Sequence, residues 1–229
     1  MIPFLSSSTF RRGRDAVLFA CCIGFGAIYA NARDIYVNDA STAGDVFTTA
    51  VGSDSNAGTA AAPYANLSKA LSVAVDGDRI IVDSGTYNGG GSLNKNLIIN
   101  KAVEIIGAGA YKTVFDNNYN GSGIFFAKIT ASNVKLINIG VVKFNNATSG
   151  EGKAIDIAGN ISGVVLNGVR TEMNGTSSAG NSGGEAAIVI RNGADATIKN
   201  GSSSCNLSIG DYGGGINVIG AGSVLILIT

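Results

Sequence analysis

The chain has 229 residues, with 33 Gly, 2 Pro, no Trp and no His, and charged residues make up only 14% of it. Sixteen basic residues balance sixteen acidic ones, so no long-range field draws it to nucleic acid or an anionic membrane. The lack of His removes the commonest general base, the Ser-His and Cys-His nucleophile pairs and most zinc sites. An apolar content of 45% is too high for wholesale disorder, and Gly without Pro or a Gly-X-Y period is not collagen.

Residues 1–32 read as an export leader. Arg11, Arg12 and Arg14 form a basic start, Ala16 to Tyr29 is an apolar run, and Ala30-Asn31-Ala32 offers the small residues a signal peptidase needs. The run is shorter than the roughly 20 residues of a membrane span, so cleavage after Ala32 is expected. Loss of the leader removes Cys21 and Cys22 and leaves Cys205 alone. One cysteine cannot bridge within a chain, so no disulfide scaffold is expected, and Cys205 reads as a small, partly buried residue.

Past Ile35-Tyr36-Val37, which looks like a strand, the first regular pattern is Asn66 to Val75. Leu67, Ala70, Leu71, Ala74 and Val75 lie on one helical stripe. Asn66 can cap this helix and Asp76-Gly77-Asp78 can end it. A helix so short must bury its stripe, and the open end of a following repeat is the surface available.

Two ladders then run in step. Gly123-Ile124-Phe125-Phe126, Ala154-Ile155-Asp156-Ile157, Ala187-Ile188-Val189-Ile190 and Gly215-Ile216-Asn217-Val218 place their leading Ile residues 31, 33 and 28 apart. Val134-Lys135-Leu136, Val164-Val165-Leu166, Ala196-Thr197-Ile198 and Val224-Leu225-Ile226 follow with gaps of 30, 32 and 28. Val103-Glu104-Ile105 precedes the second series by one more period. Alternating apolar segments this short are strands, and the Gly, Asn and Ser clusters between them are turns. A fixed coil of about 30 residues predicts an all-β parallel solenoid with inward columns of apolar side chains. An antiparallel sandwich would leave the period without a cause. If Val103 and Val134 stack inward, Glu104 and Lys135 point outward on adjacent strands and can pair. The expected organisation is a signal peptide over 1–32, a strand and capping helix over 33–77, and coils over 78–229.

Gly52-Ser53-Asp54-Ser55-Asn56-Ala57-Gly58-Thr59, Ala62-Pro63-Tyr64, Gly77-Asp78, Ile80-Ile81-Val82 and Gly85-Thr86-Tyr87 resemble the start of secreted right-handed parallel β-helix proteins of the pectate-lyase-like superfamily. Leu97 to Lys101 and Val103 to Gly109 resemble that family's first full coil. The resemblance implies a right-handed β-helix, a secreted or cell-surface location of bacterial type, and a role among lyases, hydrolases or adhesins.

Lyases of this fold hold calcium on carboxylates of one outward column, beside a basic residue. With Ile124, Ile155, Ile188 and Ile216 inward, the outward residues here are Phe125, Asp156, Val189 and Asn217. One carboxylate is a poor calcium site and no base stands in that column, so no catalytic set or metal site is expected. Phe125, Asp156 and Asn217 instead suit sugar contact, a ring against a pyranose face and polar groups on its hydroxyls. Calcium, the one cofactor left open, would sit at Asp54-Ser55-Asn56-Ala57-Gly58, whose plainer reading is a turn. Asn-x-Ser/Thr triplets, as at Asn66, Asn120, Asn146, Asn160, Asn174 and Asn206, follow from composition and matter only in a eukaryotic secretory pathway.

The function expected is an adhesin-like or polysaccharide-contacting module whose partner is a polysaccharide or host-surface glycan. The alternatives are the N-terminal part of a lyase or glycosidase with active coils beyond residue 229, and a purely structural stalk. The apolar run Val224 to Ile228 reads as an uncapped strand, from which both truncation and edge-to-edge self-association are expected.

Overall fold

The computed structural model describes residues 32–88, 94–120, 124–146, 151–175, 186–206 and 214–228. The predicted leader, with Cys21 and Cys22, lies outside them apart from Ala32. Strands are numbered in chain order and form three parallel sheets. The first holds β1 (Asp34–Val37), β2 (Arg79–Val82), β5 (Glu104–Gly107), β8 (Lys135–Ile137), β11 (Val164–Asn167), β14 (Asp195–Lys199) and β17 (Val224–Ile228). The second holds β4 (Leu97–Ile99), β7 (Ala127–Ile129), β10 (Ile155–Ala158), β13 (Ile188–Arg191) and β16 (Ile216–Ile219). The third holds β3 (Gly85–Asn88), β6 (Thr113–Asp116), β9 (Gly140–Val142), β12 (Arg170–Glu172) and β15 (Ser202–Ser204). From β2 to β16 each coil contributes one strand to each sheet, with β1 and β17 extending the first sheet at its two ends, so the chain is a parallel β-solenoid with the predicted period.

Side chains alternate inward and outward along every strand. Ile105, Leu136, Leu166, Ile198 and Leu227 stack as one inward column of the first sheet. The third sheet contributes Tyr87, Phe115, Val141, Thr171 and Ser203. An aromatic stack runs through the core from Tyr87 to Phe115, Phe126 and Phe144, with ring centroids 5.2, 4.6 and 5.8 Å apart. Toward β15 the column turns polar, and Thr171 Oγ1 lies 3.0 Å from Ser203 Oγ. This third ladder is absent from the sequence reading because its members share neither chemistry nor size.

Two sequence registers need correction. Ile155 pairs with Ala127 rather than Ile124. Ile124 is taken by an antiparallel bridge to Asn145, and the Phe125 N–H donates to Asn96 Oδ1 at 3.1 Å, so the strand begins only after this turn. At the other end Ala196 pairs with Leu225, not Val224. A slip of one residue exchanges the faces of a strand, so Leu225 and Leu227 are inward while Val224, Ile226 and Ile228 are outward. The register between the first coils is as expected: Glu104 pairs with Lys135, whose Nζ lies 2.5 Å from Glu104 Oε1.

At the described corners the Gly and Asn residues occupy stacked left-handed turns. Gly163 stacks on Asn133 and Gly222 on Gly193, all four with positive φ, and Asn138, Gly168 and Asn200 form a further left-handed column. Gly163 is required twice over: its φ is +72°, and an added Cβ would lie 2.4 Å from Asn133 Oδ1. Lys143, Met173 and Cys205 form a third left-handed column. Beside it, Asn174 accepts the Phe144 N–H and donates to Val141 O, which explains why a triplet asparagine is wholly buried. Cys205 is exposed rather than partly buried.

The one helix among the described residues, α1 (Leu67–Val73), buries Leu67, Ala70 and Leu71 against β1 and β2 and closes the first coil as expected. It is shorter than its stripe, and Val75 is exposed at 47%. Asn66 occupies the cap position without a side-chain cap bond. Asn94 Oδ1 instead accepts the Leu67 N–H at 2.8 Å, while Asn66 bonds to Asp54 and Asn94. No helix among the described residues is long and apolar enough to cross a membrane.

Candidate functional site

The second sheet carries the outward column in which sugar contact is expected. Its true members are Ile98, Lys128, Asp156, Val189 and Asn217. Phe125 lies just before β7, half-buried, with Lys128 Nζ 5.6 Å from its ring centroid. The register therefore puts a lysine where the sequence placed a phenylalanine, and Phe125 remains at the rim of the same face.

Asp156 is not a surface residue. It has no exposure, and both its oxygens accept from Arg191, Oδ1 from Nε and Oδ2 from Nη2, each at 2.9 Å. Arg191 stands outward at the end of β13, beside Ala158 of β10. Glu151 comes over the face from the preceding loop: its Oε1 lies 2.7 Å from Lys128 Nζ and 3.2 Å from Arg191 Nη2. Asn146 Nδ2 donates to the other Glu151 oxygen. Gly152 runs so close over β10 that a Cβ there would lie 1.9 Å from Ile155 O. Lys153 and Val189 are buried alongside. The expectation that no basic residue joins this column is thus overturned: Lys128 stands in it beside Asp156, and Arg191 from the next outward position and Glu151 from the loop complete a group of two cations and two carboxylates. The sequence hid this because Lys128 sits on a mis-registered coil and Glu151 comes from a loop.

The electrostatics of the group are self-contained. Burial would push the Glu151 carboxyl up, but the Lys128 and Asn146 bonds and the charges of Lys128 and Arg191 hold it below the usual carboxylate range. Bonding to Asp156 raises Arg191 further against its own desolvation. Glu151 is met by Lys128 and Arg191, and Asp156 by Arg191. Asn217, at the far end of the column, is partly exposed, and its Nδ2 is buried with no hydrogen-bond partner among the described residues.

At the opposite end the face is open. Ile98 is 49% exposed, and a groove of about 350 Å³ separates α1 from β4. Ser68, Ser72, Lys95, Asn96, Ile98 and Asn100 line it, together with Lys101 at its end. Lys101 Nζ donates to the Leu71 and Ala74 carbonyls at the end of α1. Lys95 makes no ion pair among the described residues.

The acidic segments resolve into turns. Asp54 accepts the Ala65 and Asn66 N–H groups and the Asn66 amide, so the loop considered for calcium has its carboxylate committed to the backbone. Asp78 accepts from Arg33 and from the Val75 N–H. Among the described residues no three acidic or sulfur ligands converge to hold a metal ion. No protein-family model, curated protein or solved structure matches the chain.

Proposed function

We propose that the chain is an exported β-solenoid module, of the pectate-lyase-like kind, that binds polysaccharide at a cell surface without cleaving it. The observation that carries this reading is the use made of the outward carboxylates. Asp156 is buried with both oxygens on Arg191, and Glu151 is held between Lys128 and Arg191. Glycoside hydrolysis needs two carboxylates facing the scissile bond about 5–10 Å apart, and a lyase needs a free base beside a metal-bound uronate. Carboxylates committed to neighbouring cations supply neither. What faces solvent is Ile98, the Phe125 ring and the amides around them, a mixture suited to the apolar face and hydroxyls of a sugar. Export rests on the leader pattern of residues 1–32, and an adhesin-like role follows from export combined with binding.

The purified chain is to be incubated with pectate, alginate and neutral glucans in calcium, following unsaturated products, reducing ends and binding by calorimetry. Binding without turnover, weakened about tenfold by Phe125→Ala, is expected, since losing one stacked ring removes roughly 1–1.5 kcal/mol. Turnover that disappears in a folded Asp156→Asn variant overturns the reading.

A further inference from the structure

We infer that the groove between α1 and β4 is a binding site for an anionic saccharide unit, with Lys95 as its charge-recognising residue. This rests on the polysaccharide-binding reading above and locates the ligand away from the middle of the outward column, where Asp156 and Val189 are wholly covered.

Three observations converge on the groove. The first is its charge. α1 contains no acidic residue, no carboxylate lines the groove, and Lys95 forms no ion pair among the described residues. Of the other nearby cations, Lys101 bonds the two helix carbonyls, Lys128 pairs with Glu151, and Lys69 of α1 lies over the Tyr64 ring, outside the groove lining. An uncompensated ammonium in a recess attracts an anion, and more strongly than one on an open surface.

The second is the spacing of its polar groups. Ser68 and Ser72 lie one helical turn apart on the same side of α1. Across from them Asn96 and Asn100 bracket β4, and both are exposed. Asn96 Oδ1 is occupied by the Phe125 N–H, which leaves its amide nitrogen to donate outward. Hydroxyls and amides on two walls match the hydroxyls of a sugar ring better than they match a small inorganic anion.

The third is continuity. Ile98 forms the apolar floor, next to Lys128 in register, and Phe125 borders it. A saccharide with its acidic unit against Lys95 lays its next residue across Ile98 toward Phe125. About 350 Å³ accommodates a sugar unit and its substituent, within the range of small-ligand sites.

The experiment titrates the purified chain with four probes: an oligogalacturonate, a sulfated oligosaccharide, a neutral gluco-oligosaccharide of equal length, and acetate alone. Both acidic saccharides should bind about tenfold more tightly than the neutral one, the scale of a charged hydrogen bond. Lys95→Ala should abolish that preference, Lys95→Arg should largely restore it, and raising salt should erode it. Neither Lys95 variant should alter the circular dichroism spectrum. Equal affinity for neutral and acidic saccharides, or indifference to Lys95→Ala, overturns the inference, while binding still lost in Phe125→Ala leaves the broader proposal standing. Acetate binding as tightly as the saccharides reduces the groove to a small-anion site and also overturns it. Failure of every saccharide to bind overturns both.

Discussion

Substituting Arg191 by Met removes the guanidinium that bonds both oxygens of Asp156, a carboxylate with no exposure, while keeping most of the side-chain volume. Breaking a buried pair from the side that strands its partner costs about 3–5 kcal/mol. The reverse change, Asp156→Ala, should cost less, roughly 1–3 kcal/mol, because Arg191 is 21% exposed and keeps Glu151 at 3.2 Å. The double variant should be less damaged than the Arg191→Met single, since no unpaired charge remains. For a chain of this size 1 kcal/mol corresponds to roughly 2–4 °C in Tm, so Arg191→Met should melt about 6–20 °C below the parent. Thermal and urea unfolding followed by circular dichroism measures all three. Additive losses, or an Arg191→Met cost below about 1 kcal/mol, would refute the claim that this cluster is one buried electrostatic unit.

Other outcomes follow from the same geometry. The Glu104–Lys135 pair is 31–43% exposed, so a double-mutant cycle should return no more than about 1 kcal/mol, vanishing in high salt. Asp45 is raised above the ordinary carboxylate value by desolvation, and by the charge of Asp83 against a bond from Asn38. A raised native pKa means that ionisation weakens the fold, so this contribution improves as pH falls through the native value toward 3.8, and Asp45→Asn should stabilise the chain at pH 7. Asp83 has the opposite sign: burial alone would raise it, but the Val46, Ser84 and Phe47 N–H groups and the Thr48 hydroxyl hold it low. Asp83→Asn should therefore destabilise at neutral pH, with the difference shrinking in acid as Asp83 protonates; pH-dependent melts test both. Gly168→Val should cost more than about 1 kcal/mol in urea unfolding, because a Cβ at φ +65° would lie 2.4 Å from Asn138 Oδ1. The outward residues Val224, Ile226 and Ile228 of β17, the last strand of its sheet among the described residues, are 46%, 53% and 51% exposed. We expect concentration-dependent association in light scattering that Ile226→Lys suppresses.

What the sequence determined by itself was periodicity. Apolar residues returning about every 30 positions, in strands too short for anything but a repeat, have one economical three-dimensional solution, and the Glu104–Lys135 contact followed from it. Gly and Asn clusters marked the corners because left-handed backbone is steeply selective for those residues. Tertiary structure alone decided register where a turn changed length. Ile124-Phe125-Phe126 imitates the strand that really begins at Ala127, and no local signal separates the two, because both are short and apolar. That shift carried Lys128 into the outward column in place of Phe125. The third ladder was unreadable because its inward residues change from Tyr87 through Val141 to Ser203, each suited to neighbours supplied by other sheets. The helix cap was invisible for a related reason: Asn94 reaches Leu67 from 27 residues away, and a tertiary hydrogen bond leaves no periodic trace. Asp156 was legible as outward but not as buried, since its cover, Glu151 and Gly152, comes from a loop whose path depends on the coils beneath it. Pattern encodes what recurs along the chain; the charge cluster and the groove beside α1 arise where non-recurring segments meet.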